Sequence, residues 1–395
     1  QGGTYAIIPD QIEAGTYMAA VAAAMQAAGM NTPLLVGGAT TSPLHTALKL
    51  APHYPAGVVV QTADASTIVP VATALIGSAK GAFIAEYKAE QARLCAEFEQ
   101  KEIPLYSLAE SRARALQSPD AQPLPQRTGV FTVGVPAGCA CHHPQLDFPL
   151  TWQQLLDKAD WSITLRTFGM HAARTEEKKQ EASKLRADAE AILKRALAEN
   201  RIQARSCFGI WPASRCGDDI EVQGGTVLYT LRQQKISDNP RIALADFVST
   251  SNGYVGAMQM AISGADEWSA ELNAANDPYN ALLIAAVANM LAEALAECTQ
   301  DCVEQVWPVT ASAMVRPACG YPSQPDHQEK RTVFSLLNAS AHTGTTLTET
   351  CMMQPASAIC ALIFNHPEAR YFAVGPIGED QRADYESRSG HKLPL

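Results

Sequence analysis

The chain has 395 residues, of which 47% are hydrophobic and 18% charged, with a formal charge of −10 and a pI near 5.4. Such numbers describe a globular protein with room for roughly two or three domains. They exclude sequence-independent nucleic-acid binding, which needs a basic surface. Ten cysteines in a chain this long read as reduced cytosolic thiols rather than a disulfide framework. No signal peptide is visible, and Gln1 in the first position points to a natural N-terminus further upstream. The expectation is a cytoplasmic protein without a nucleic-acid partner or a membrane span.

Gly15 to Gly29 is an alanine-rich helix ending at glycine. Pro33 to Val36 reads as a buried strand, followed by the loop Gly37-Gly38-Ala39-Thr40-Thr41. Ser42-Pro43 opens a helix, Val58 to Gln61 is the next strand, and Ser66 caps a helix to about Gly77. This α-β-α-β-α order is the grammar of a parallel, Rossmann-like α/β sheet, so residues 1–80 read as a partial domain of that class. Bare backbone at Gly37 and Gly38, after a strand, admits a flat or anionic ligand, although the pair lacks the third glycine of a dinucleotide fingerprint.

Residues 81–128 combine a charged helical segment with a proline-rich linker, and residues 129–395 form a second domain. Helices are expected at Thr151–Leu156, Thr175–Asn200, Tyr279–Val306, Lys330–Ala341 and Gly378–Ser389. Strands are expected at Cys207–Trp211, Ile220–Val222, Val227–Leu231, Ile242–Leu244, Val255–Ile262, Thr346–Met352, Ile359–Phe364 and Tyr371–Val374. The mixture lacks βαβ regularity, which predicts an α+β domain with a mainly antiparallel sheet. The longest apolar run, from Ala281 past Met290, is interrupted by Glu293 and Glu297 and reads as a buried helix. Cys139, Cys141, His142 and His143 have metal-ligand side chains, but the spacing lacks a matching second half. Cys298 and Cys302 read as packing residues.

Arg316-Pro317-Ala318-Cys319-Gly320-Tyr321-Pro322 is the most distinctive stretch. Two prolines, a glycine and a cation make a rigid, extended platform on which an arginine fork could hold a carboxylate. An ordinary loop with a surface arginine fits these residues equally well. No nucleophile elbow, Walker loop or His-Glu-x-x-His motif is present, so the hard chemical step falls to a cofactor or cosubstrate. For an amino-acid ligand, Arg316 suits the carboxylate and Asp160, beside Trp161, suits a cationic group. Tyr371-Phe372 offers π faces on which adenine or a sulfonium packs. A helix-end ion pair for Asp160 and core packing for Tyr371-Phe372 are the plainer alternatives.

Residues from about 129 onward carry an ordered series of motifs: Asp160-Trp161, Gly217 to Glu221, Leu231 to Gln234, Leu244 to Phe247, Tyr254 to Ala257, Arg316 to Pro322, Asp326 to Lys330, His342 to Gly344, Leu347 to Glu349 and Tyr371 to Val374. This series resembles the activation (reactivation) domain of cobalamin-dependent methionine synthase. Pro33 to Thr46 and Ala65-Ser66 resemble the second half of that family's cobalamin-binding domain. The resemblance implies S-adenosylmethionine as ligand, contacted by Asp160, Arg316, Ala318, Gly320, Tyr371 and Phe372, with Tyr321 on the corrin side. Gly37, Gly38 and Ala65 are the corresponding cobalamin-side candidates. It further implies reductive remethylation of cob(II)alamin, with a flavodoxin or flavoprotein reductase as electron donor. The alternative is a non-catalytic accessory subunit serving a separate corrinoid methyltransferase.

Departures from the family pattern are specific. The Asp-x-His-x-x-Gly signature of the cobalt's lower ligand is absent, and His45 belongs to a different stretch. Cys319 replaces a usual proline, Phe372 a common second tyrosine and Gln354 a common tryptophan. The homocysteine, folate and cap modules are missing, so the chain is not expected to be a complete methionine synthase.

Overall fold

The computed structural model describes residues 14–37, 42–62, 65–78, 80–99, 103–117, 122–136, 146–170, 175–309 and 314–393. Gly38 and the Cys139, Cys141, His142 and His143 cluster lie outside the described residues. The chain divides into two compact units between Pro104 and Leu105.

The first unit contains helix α1 (Ala14–Ala27), strand β1 (Leu34–Gly37), the single turn α2 (Pro43–His45), strand β2 (Val59–Thr62), and helices α3 (Ala65–Ile76) and α4 (Lys80–Glu99). Strands β1 and β2 pair in parallel, with Leu34 opposite Val59 and Gly37 opposite Thr62. Parallel neighbours need a crossover. Here it runs through α2, a π turn at Thr46–Leu50 and a 3-10 turn at Ala51–His53, where a single helix was expected. Ser42 starts it as expected, its hydroxyl accepting from the His45 amide at 3.0 Å. One apolar cluster joins Met18, Leu34, Val36, Leu50 and Val59, and another joins Val58, Val60 and Leu75. Successive strand residues therefore face opposite layers. Among the described residues this sheet has two strands.

The second unit is built on a seven-stranded sheet of β3 (Gly129–Gly134), β4 (Phe148–Pro149), β5 (Gln203–Cys216), β6 (Asp219–Val222), β7 (Thr226–Leu228), β8 (Gly253–Ser263) and β11 (Ala358–Ile363). A separate pair is formed by β9 (Thr346–Leu347) and β10 (Met353–Gln354). The main order is β11-β8-β5-β3-β4, with β6 and β7 extending from β5. The sheet is mixed, which corrects the expected mainly antiparallel one: β3 and β4 run parallel, Val133 opposite Phe148.

Helices α5 (Leu108–Ala113), α6 (Trp152–Asp157), α7 (Ser162–Thr167), α8 (Glu176–Ala198), α9 (Ala265–Ala274), α10 (Pro278–Val306), α11 (Glu329–Leu337), α12 (Ala339–Thr343) and α13 (Glu379–Ser389) complete the unit. Alternation assigns the two faces of the sheet. Phe208, Ile210, Met258, Met260, Ala361 and Ile363 share a core with α8, α9 and α10. Cys207, Val255, Ala257, Cys360 and Leu362 share another with Val333 and Leu337 of α11. Helix α10 is long and apolar enough to cross a membrane, but 72% of its apolar window is buried inside the protein. Asp277 caps it, accepting from the Asn280 amide at 3.2 Å, and Pro278 occupies its first turn.

Several expected strands are shorter or absent, each for a local reason. Ile242–Leu244 gives way to a 3-10 turn at Leu244–Phe247, because Asp246 folds back to accept from the Ala243 amide at 3.0 Å. Thr346–Met352 yields only β9 before a turn in which the Thr348 hydroxyl accepts from the Met352 amide at 3.0 Å. Tyr371–Val374 is not a strand, since its neighbour contains prolines that cannot donate to a ladder. The expected Lys330–Ala341 helix breaks at Asn338, which is left-handed with φ +48°.

The motifs at Gly217–Glu221, Leu231–Gln234 and Leu244–Phe247 meet in a buried ion network. Arg232 Nε donates to Asp218 Oδ1 at 2.7 Å, and its two terminal nitrogens donate to both oxygens of Asp246 at 2.7 and 2.8 Å. Gln381 of α13 pairs with the Arg232 backbone, accepting at 2.7 Å and donating at 2.9 Å. Arg112 of α5 donates to Asp218 at 2.7 Å. Burial pushes the Asp218 carboxyl up, but Arg232 and Arg112 outweigh it and hold the group below its usual range. Its stabilising contribution is therefore complete above its unfolded pKa of about 3.9 and is lost as pH falls through the lower folded value. Urea midpoints are expected to drop steeply below that pH, and Asp218→Asn to flatten the drop.

Candidate functional site

The platform 314–322 runs beside β11 as an irregular edge. Val315 bridges Phe364, Ala318 bridges Ala361, and the Leu362 amide donates to the Pro317 carbonyl at 3.0 Å. Pro317, between the two bridges, has no amide to donate to this edge. Cys319 turns inward, its amide donating to the Cys360 carbonyl at 3.2 Å. Contact with the Cys360 thiol, followed by burial, pushes the Cys319 thiol well above its usual range, so this sulfur is a packed thiol rather than a nucleophile.

Gly320 turns the chain at φ +95°, with its amide donating to the Gln324 carbonyl at 2.7 Å. A Cβ here would lie 2.0 Å from His327 Cε1 and 2.3 Å from its Nδ1. Gly320→Ala is therefore expected to destabilise the protein by about 2 kcal/mol or more and to impair the platform with it. Denaturant unfolding checks the first effect and ligand titration the second.

The aromatic segment lies against this platform. The Arg316 amide donates to the Tyr371 hydroxyl at 2.9 Å. The Val374 amide donates to the Pro322 carbonyl at 2.8 Å, and the Ser323 hydroxyl bonds the Phe372 carbonyl. Tyr371 is 62% exposed and Tyr321 48% exposed, so both rings offer open faces. Phe372 instead packs partly into the core, edge-on to Phe247 with centroids 6.2 Å apart. The structure thus brings together Arg316, Ala318, Gly320, Tyr321, Tyr371 and Phe372.

The Arg316 guanidinium rests on α10, donating to the Ala296 carbonyl at 2.8 Å and pairing with Glu297. Desolvation pushes the Glu293 carboxyl up, while Arg316 pulls it down and Glu297 adds to the rise. These two acids were missed as site residues. They are the same pair that interrupts the apolar run, and their one-turn spacing places both on one face of α10.

Asp160 makes its side-chain hydrogen bonds just ahead of α7 rather than to the platform, accepting from both the amide and the hydroxyl of Ser162 at 2.9 Å. Those bonds, the Ser162 hydroxyl first, hold its carboxyl below the usual range. The same helical region reaches α10: Lys158 pairs with Asp301 at 2.8 Å, and Cys298 Sγ lies 3.7 Å from the Gln154 carbonyl. Asp160 and Arg316 are thus carried by elements packed on the C-terminal half of one helix. Trp161 is covered by the Arg186 guanidinium, 3.9 Å from its ring centroid.

On the first unit, the open side of Gly37 is taken by packing: a Cβ there would lie 3.1 Å from Thr62 Oγ1. Ala65 is the first residue of α3.

Residues 151–390, more than half of the chain, match the family model described as vitamin B12 dependent methionine synthase, activation domain. The chain belongs to this family. It is also similar to a crystal structure of the MetH reactivation domain bound to AdoHcy. That likeness has a TM-score of 0.65 and 29% identity, covering 73% of this chain and 95% of the other. Within the activation domain, the motifs separate into two groups. Those around Arg232 build the buried ion network, and those around Arg316 and Tyr371 build the platform.

Proposed function

We propose that this activation domain binds S-adenosylmethionine on the Arg316–Pro322 platform and serves in the reductive remethylation of a corrinoid in methionine synthesis. The observation that carries the reading is the hydrogen bond from the Arg316 amide to the Tyr371 hydroxyl, which joins the cation to an exposed aromatic face. The ligand is a zwitterionic amino acid bearing a sulfonium and an adenine. Arg316 supplies the fork for its carboxylate. Asp160, Glu293 and Glu297 make the surroundings favourable to its two cationic centres. Tyr371 supplies a π face, and the half-buried backbone at Ala318 and Gly320 supplies hydrogen bonds. AdoHcy in the similar MetH reactivation domain supports this class of ligand.

A reduced corrinoid cobalt is the methyl acceptor in such chemistry, which is why the protein needs no nucleophile of its own. This chain's residues do not fit a corrinoid site with a histidine lower ligand, because the Asp-x-His-x-x-Gly signature is missing. No step is therefore assigned to a corrinoid held by these residues. Tyr321, exposed at the end of the platform, is the residue proposed to face an incoming corrin. A flavodoxin or flavoprotein reductase is the class of electron donor this reading requires.

Equilibrium dialysis of the chain with S-adenosylmethionine tests the ligand, with one site per chain expected and no uptake counting against the proposal. Titration with cob(II)alamin, alone and with a separate corrinoid protein, distinguishes a chain that holds its own corrinoid from an accessory subunit. Binding only in the presence of that protein supports the accessory form.

A further inference from the structure

Behind the platform, buried acidic side chains converge. Asp326, Glu329 and His391 each present one candidate ligand atom, and the three atoms lie within 4.8 Å of one another. They come from three places in the fold. Asp326 ends the loop that follows Gly320, Glu329 opens α11, and His391 lies just beyond α13. Asp326 is fully buried and Glu329 is 1% exposed.

Asp326 is held in place: Tyr385 Oη donates to its Oδ2 at 2.7 Å, and the Gln328 amide donates to its Oδ1 at 2.8 Å. His391 Nδ1 stands 3.1 Å from the same Oδ2. Glu329 is different, since neither of its carboxylate oxygens has a hydrogen-bond partner of good geometry. The adjacent Lys330 ammonium donates to the Cys351 carbonyl at 3.0 Å. Burial pushes the Glu329 carboxyl well above its usual range, Cys319, Asp326 and Asp219 push the same way, and the Tyr229 amide opposes them. A buried carboxylate surrounded by like charge needs a proton or a cation.

We propose that Asp326, Glu329 and His391 form a binding site for one divalent transition-metal ion of the zinc class. Two carboxylate oxygens and an imidazole nitrogen are a donor set suited to such an ion. Metal–ligand bonds of about 2.1 Å put neighbouring donor atoms roughly 3.0–3.4 Å apart, and the Asp326–His391 separation already falls in that range. The Tyr385 hydroxyl supplies the outer partner that orients Asp326. The ion ties α11 and the end of α13 to the loop below Gly320, and so fixes the platform from behind. The proposal does not rest on the S-adenosylmethionine reading.

The test uses the full chain, stripped with chelator, loaded with Zn2+, dialysed and assayed for metal by mass spectrometry. Wild type is expected to retain about one zinc more per chain than Glu329→Gln or His391→Ala, with affinity lowered about 100-fold in each. Zinc is also expected to raise the unfolding midpoint of wild type but of neither variant. His391 lies partly at the surface and Gln preserves the volume of Glu329, and circular dichroism verifies that both variants fold. Wild type retaining no zinc overturns the proposal. Equal zinc in wild type and both folded variants overturns it too, because the metal then sits elsewhere, on cysteines for example.

Discussion

Arg316→Ala is expected to weaken S-adenosylmethionine binding by more than about a hundredfold while leaving the fold intact. Two charge-assisted hydrogen bonds to a ligand carboxylate contribute about 3 kcal/mol together, which is roughly two decades in Kd. The fold survives because the ion pair that Arg316 makes with Glu297 is half-exposed on the Glu297 side, and such pairs are worth about 0–1 kcal/mol. Glu297 also competes for the same guanidinium, so the ligand carboxylate must displace or share it. Arg316→Lys is expected to recover little affinity, since a single ammonium cannot reproduce the planar fork. Isothermal titration of the three proteins measures the effect. Equal affinity in wild type and Arg316→Ala would remove Arg316 from the site.

The largest loss of stability is expected at Arg232, in the buried ion network. Arg232→Ala leaves Asp218 and Asp246 buried, at 3% and 1% exposure, without their shared cation. Removing one partner of a buried pair costs about 3–5 kcal/mol, a large part of the 5–15 kcal/mol that typically separates folded from unfolded protein. Urea unfolding reads the loss directly. Adding Asp218→Asn and Asp246→Asn to Arg232→Ala is expected to return part of it, because the cost lies in stranded charge and not in the missing side chain alone. If Arg232→Ala unfolds within about 1 kcal/mol of wild type, the network is not what holds α13 and α5 to the sheet edge.

These two arginines show what could be read from the sequence and what could not. Arg316 announced itself locally, because proline and glycine fix its backbone within a few residues. The alternating strands β5 and β8 and the apolar helix α10 were likewise legible locally, whereas the turn at Gly320 interrupts a stretch expected to be extended. The Arg232 network was not. Its partners lie far apart in sequence, with Arg112 joined to Asp218 across 106 positions, and no short-range rule predicts such a meeting. Strand lengths failed where a side chain captured the backbone, as Asp246 does at Ala243 and Thr348 at Met352. Residue type suggested roles for Asp160 and Tyr371, but a helix-end ion pair and a core aromatic were the plainer readings until the family likeness was added. The structure separates them: Tyr371 bonds the platform, whereas Asp160 is tied to its own helix. Glu329 entered only as part of the Asp326 to Lys330 motif, with no role of its own, because a glutamate beside a helix start is ordinary. Only its burial and missing partners set it apart.

The central claim is that the Arg316–Pro322 platform and the Tyr371 segment form one S-adenosylmethionine site. Amide chemical-shift mapping of the isotope-labelled chain, titrated with S-adenosylmethionine, tests it most directly. Saturable shifts are predicted at Arg316, Ala318, Cys319, Gly320 and Tyr321 together with Tyr371 and Phe372, and their absence in Arg316→Ala. Saturable shifts that leave these residues untouched, or no shifts at all, would contradict it.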